Sequence, residues 1–144
     1  MSVSLENFVK IKGELTNAGA LLVAVSKKKS VEDILALYKL GQRDFGENYV
    51  QELVEKQPQL PADIRWHFIG HLQRNKVKYI APICSLIQGV DSLALLDEIN
   101  KQAIRLNKVI DCLLQVHIAR EETKFGFDQA ELATILPSMT DRKN

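Results

Sequence analysis

Apolar positions follow two rhythms that alternate along the chain. Leu5, Phe8, Ile11 and Leu15 recur at helical spacing, and Ser4 stands where an N-cap belongs, so the pattern predicts a helix over 4–17. Leu21-Leu-Val-Ala-Val-Ser26 is a continuous run rich in branched residues, as in a strand buried on both faces of a parallel sheet. The pair then repeats. Ser30-Val-Glu-Asp33 resembles a capping box and opens a helix carrying Ile34, Leu35, Leu37 and Leu40, which ends near Gly41. Further strands are predicted over 43–48, 66–70, 86–90 and 110–118. Helices are predicted over 49–56, ended by Pro58 and Pro61, over 75–83, from an Asp91 cap through Ile104, and over 128–139, with Glu131 three places after its cap.

Five strand–helix units behind a leading helix call for parallel strands joined by right-handed crossovers. An open doubly wound sheet and a (β/α) barrel both satisfy that pattern. A full eight-unit barrel takes about 250 residues. The 144 residues are enough for one domain, read as 1–144 with its units over 21–141, and no linker interrupts it.

Charge adds little. The formal net charge of +1 gives no general pull toward nucleic acid or an anionic membrane. No apolar run is long enough to span a bilayer, and the first ten residues lack the order of a signal peptide, so the cytoplasm is expected. Cys84 and Cys112 have no metal spacing and read as reduced, partly buried thiols.

The chemistry-bearing residues cluster at predicted strand ends. Lys27 follows the first strand, on the parity of Val23 and Val25, where α/β proteins place their sites. Desolvation and the adjoining Lys28 and Lys29 would favour a neutral amine able to attack an aldehyde; a solvated lysine turn is the plain alternative. Gly46-Glu-Asn48 closes the second strand, either as a site element or as a simple turn. His67, His71 and His117 lie at strand ends, a conceivable metal set or else core and hydrogen-bonded residues. The polar run His71–Lys76 reads as a rim loop, and Lys124 sits in a loop anchored by Phe125 and Phe127. The chain has no dinucleotide or Walker loop, no Ser/His/Asp ordering and no RNA-binding aromatic strand.

Taken in order, Leu22-Val-Ala-Val-Ser-Lys27, Phe45-Gly-Glu-Asn-Tyr-Val-Gln-Glu52, Trp66-His-Phe-Ile-Gly-His-Leu-Gln-Arg-Asn-Lys76 and Glu122-Thr-Lys-Phe-Gly-Phe127 closely resemble the YggS/PROSC family of pyridoxal 5′-phosphate (PLP) homeostasis proteins. The resemblance implies an α/β, TIM-like barrel of parallel strands related to the N-terminal domain of alanine racemase, incomplete here at about five of eight units. It implies a carrier or regulator of PLP and amino-acid balance rather than an enzyme, with PLP held as a Schiff base on Lys27. Lys29 and Lys124 match basic positions near the cofactor, and Asn48, His67 and Asn75 match segments around the mouth. No catalytic residue and no metal are implied.

The family's phosphate-gripping loops follow strands that this chain does not reach, so a truncated barrel is expected, with open edges that invite self-association. PLP-dependent apo-enzymes are the implied recipients. A racemase-like PLP enzyme and a self-associating fragment that binds nothing are the competing readings.

Overall fold

The structure, a computed structural model, describes residues 4–118 and 125–144. The elements run α1 (Leu5–Asn17), β1 (Ala24–Val25), α2 (Val31–Lys39), β2 (Asp44–Glu47), α3 (Val50–Lys56), β3 (Arg65–Phe68), α4 (Val77–Ile80), β4 (Cys84–Val90), α5 (Leu93–Arg105), β5 (Asp111–Leu114) and α6 (Gln129–Ile135). All strand pairs are parallel, and the sheet order is β1-β2-β3-β4-β5. That order separates the two architectures left open by the pattern. A doubly wound sheet reverses its strand order at a switch point, whereas a barrel wall adds each strand beside the last. The chain is a TIM-like barrel wall.

One face of the sheet carries the core. Phe45, Trp66, Phe68 and Ile87 are buried with Ile34 of α2, Leu53 of α3, Val77 and Ile80 of α4 and Ile99 of α5. Phe45 and Trp66 meet with ring centroids 6.1 Å apart. Each such side chain contributes about 2 kcal/mol by leaving water, so β2 and β3 anchor the wall. On the opposite face Val25 and Leu113, at the two outer strands, are exposed, while Asp44 and His67 between them are buried. Among the described residues, no helix is long and apolar enough to cross a membrane.

The caps at Ser4 and Ser30 form, with Ser30 Oγ accepting from the Asp33 amide, and Asp128 and Glu131 make a reciprocal capping box. Three expectations are corrected. The first strand shrinks from 21–26 to two residues, because β1 pairs on one side only and the Leu22 carbonyl accepts from Gln42 Nε2 instead of a ladder amide. Ser92, not Asp91, caps α5, its hydroxyl accepting from the Leu95 amide, while the Asp91 carboxylate lies 3.1 Å from His71 Nδ1. Of the stripe on α1, only Phe8 is buried; Leu5 and Ile11 are exposed.

Candidate functional site

The C-terminal ends of the strands converge on one rim, and glycine lets them converge closely. A Cβ on Gly70, after β3, would lie 2.2 Å from the Asn48 carbonyl oxygen after β2. On Gly89 it would lie 3.0 Å from the Gly70 carbonyl oxygen. Asn48, Gly70, Gly89 and Gln115 thus form a row across four strands. Beyond β5, the Phe127 amide donates to the Gln115 carbonyl, the His117 amide donates to the Phe127 carbonyl, and Gln115 Nε2 donates to the Phe125 carbonyl. This pairing sets Phe125–Phe127 beside the end of β5, and the Phe125 ring stacks on the His71 ring with centroids 4.1 Å apart.

Lys27 occupies the turn that leaves β1 at this same end. Ser26 turns to the helix side, where its hydroxyl donates to Glu47 Oε1 at 2.6 Å. Lys27 follows in the turn it shares with Lys28. Its side chain is exposed, as are those of Lys28 and Lys29, so the described residues do not supply the desolvation expected at position 27. Lys29 lines a cleft of about 230 Å³ along β1 with Ser26, Val25, Phe8 and Asp33.

The other expected positions separate. The half-buried Asn48 has its Oδ1 enclosed without a hydrogen-bond donor among the described residues, and His117 Nε2 is likewise unpartnered. Asn48 also lines a groove of about 600 Å³ with Tyr49, His71, Gln73, Lys76 and Tyr79. His67 lies deeper. Its Nε2 is 3.0 Å from Asp44 Oδ1 and its Nδ1 is 3.2 Å from Gln88 Nε2. Since Gln88 Nε2 can only donate, Nδ1 accepts and Nε2–H donates to Asp44. Both ring nitrogens are committed within the wall, so His67 acts there as a hydrogen-bonded interior residue. Asn75 is exposed in the short 3₁₀ turn Arg74–Lys76. Lys124 lies outside the described residues. Among the described residues no group of three or more His, Cys, Asp or Glu could hold a metal ion.

Sequence reasoning missed two polar networks. Arg65 and His67 both bond Asp44; burial pulls its carboxyl up, but hydrogen bonds from Arg65 and His67 outweigh that and hold it below the ordinary carboxylate value. Behind Lys27, Lys56 Nζ lies 2.8 Å from the Ser26 carbonyl and 2.9 Å from Glu47 Oε1, with the Glu52 carboxylate also on it. A signal existed: Glu47 shares strand parity with Phe45, so it had to point into the core, and an ion there needs a partner.

The residues present fit the aldehyde end of a PLP molecule. An accessible amine stands at the rim, and Asn48 Oδ1 is an acceptor with no donor among the described residues.

Comparison with known proteins agrees with this fold. The family model described as alanine racemase, N-terminal domain, matches residues 4–144. The pyridoxal phosphate homeostasis protein of Pasteurella multocida is 43% identical over 116 residues, covering 77% of this chain and 49% of that protein. That of Synechocystis is 41% identical over 125 residues, covering 85% and 57%. PipY of Synechococcus elongatus, solved without and with PLP bound, superposes with TM-scores of 0.89 and 0.86 at 34% identity, covering 95% of this chain and 64% of that one. The chain spans about half the length of the curated relatives it matches.

Proposed function

Because the chain belongs to the alanine racemase N-terminal-domain family, alongside the pyridoxal phosphate homeostasis proteins, we propose that it binds PLP covalently through Lys27 and serves as a cytoplasmic PLP carrier rather than an enzyme. The Lys27 amine nitrogen bonds the aldehyde carbon, and the aldehyde oxygen leaves as water. Bound PLP would supply an electron-withdrawing ring, but a carrier needs only its reversible attachment. Asn48 offers its unpartnered Oδ1 to the ligand. Lys29 and Lys124 are the proposed basic partners of the phosphate, and the stretch that follows His67 through Asn75 is the proposed edge of the mouth. PLP-dependent apo-enzymes are the recipients this role calls for.

One observation carries the reading: an exposed lysine leaves the first strand at the rim of a barrel wall that superposes on PipY solved with PLP bound. Absorbance in the visible after adding PLP tests it, with and without Lys27→Ala. The unaltered chain is expected to develop the band of a lysine-bound cofactor and the variant to lack it. An unchanged spectrum in the variant removes Lys27 from the role.

A second reading concerns assembly. Among the described residues β1 and β5 each pair on one side only, and Val25, Leu113 and Val116 are exposed nearby. Unpaired edges beside apolar surface favour association of this chain with itself. Sedimentation at rising concentration tests this; a monomer throughout would refute it.

A further inference from the structure

The turn that carries Lys27 is held from beneath by a buried ionic cluster. Lys56, on the last turn of α3, is 7% exposed and Glu47 is 0% exposed. An ammonium has three protons to give, and three oxygens receive them here: the Ser26 carbonyl, Glu47 Oε1 and Glu52 Oε1. Glu52 Oε1 also accepts the Lys28 backbone N–H. The Ser26 carbonyl accepts the Lys29 amide at 3.0 Å, and the Ser26 hydroxyl is fixed on Glu47. Both neighbours of Lys27 are therefore tied to α3, one through its carbonyl and one through its amide.

The ties hold a conformation the chain would otherwise avoid. Lys28 has φ of 59°, in the left-handed region that a non-glycine residue adopts only at a cost. Its amide bond to Glu52 offsets that cost. The cluster holds two carboxylates against one ammonium, and Glu47 Oε2 accepts no hydrogen bond among the described residues. Glu47 is buried with Lys56, while the Glu52 side chain stays partly exposed. The placement of the cluster makes sense as a clamp on the turn.

We propose that Lys56 and Glu52 are positioning residues for Lys27, locking the Ser26–Lys29 turn so that the Lys27 amine is presented to an incoming aldehyde. This rests on the reading of Lys27 as the PLP-binding residue. Among the described residues Glu52 makes no hydrogen bond or ion pair with Lys27. It acts through the Lys28 amide, as an acceptor, and an uncharged acceptor of the same shape does the same work.

The test compares Glu52→Gln with Glu52→Ala in the full chain, with Lys27→Ala and Lys56→Met alongside. Two quantities are read: the rate of PLP capture by visible absorbance, and hydrogen exchange at the Lys28 amide. Glu52→Gln keeps the acceptor and should capture at close to the original rate with the Lys28 amide protected. Glu52→Ala should expose that amide and slow capture roughly tenfold or more, the scale expected when a reacting group is misplaced. Glu52 is only half-buried, so its variants fold even if Lys56→Met does not. Equal capture rates for Glu52→Ala and the unaltered chain, while Lys27→Ala captures nothing, overturn the clamp alone. So does a loss in Glu52→Gln as large as in Glu52→Ala. Capture that survives Lys27→Ala, or its absence from the unaltered chain, overturns the underlying reading and the clamp with it.

Discussion

Gly70 and Asn48 touch backbone to backbone: a methyl group at position 70 would stand 2.2 Å from the Asn48 carbonyl oxygen and 2.8 Å from its Cα. The obstacle is main chain on both sides, so no side chain can swing away to admit it. Gly70→Ala must push the ends of β2 and β3 apart at the rim. The expected cost is about 3 kcal/mol, at the upper end for overpacking, read as a lower urea midpoint. PLP capture should weaken with it, because Asn48 moves.

Asp44 sets the acid limb of stability. Burial raises its carboxyl, but the hydrogen bonds from Arg65 and His67 prevail and leave it below the ordinary value. A carboxyl depressed in the folded state contributes stability above its unfolded pKa of about 3.9, and that contribution is lost as pH falls through the lower folded value. Thermal midpoints should therefore drop below about pH 4. Asp44→Asn should cost roughly 2 kcal/mol at neutral pH and show a flatter acid limb. Identical pH profiles for the two proteins would contradict the assignment.

The thiols should be inert in the folded chain. Burial pushes Cys84 up to about 12, with Lys108 opposing only in part, and burial with the neighbouring Asp111 charge pushes Cys112 up to about 11. At pH 8 roughly one Cys112 in a thousand is then thiolate, the reactive form. An alkylating reagent should leave both thiols unmodified in the native state and label both in urea. Rapid native labelling of Cys84 would show that the core around it opens.

The order of elements was legible because each strand–helix unit is written locally. Ser30 and Asp128 cap helices from their own neighbours, and the run from Trp66 to Phe68 shows its strand in its residue types. The polar networks were legible only in part: Glu52 and Lys56 stand four apart on one helix, but the remaining partners are far apart in sequence. Asp44 meets His67 across two strands, and Lys56 reaches back over thirty positions to donate to the Ser26 carbonyl, a hydrogen bond that no local period encodes. The hydrophobic pattern left an open sheet and a barrel wall both possible; the ordered motifs pointed to the barrel, and the strand order agrees with it. His67 shows the limit of motif reading: its place in the ordered set pointed to the mouth, and the fold gave both its ring nitrogens to Asp44 and Gln88.

Covalent capture at one named nitrogen is the centre of the account. The chain should be mixed with PLP, reduced with borohydride to make the linkage permanent, digested and analysed by mass spectrometry. The phosphopyridoxyl mass is expected on the peptide containing Lys27, and on no other lysine at stoichiometric yield. The same mass spread over surface lysines, or concentrated on a lysine other than Lys27, would contradict it.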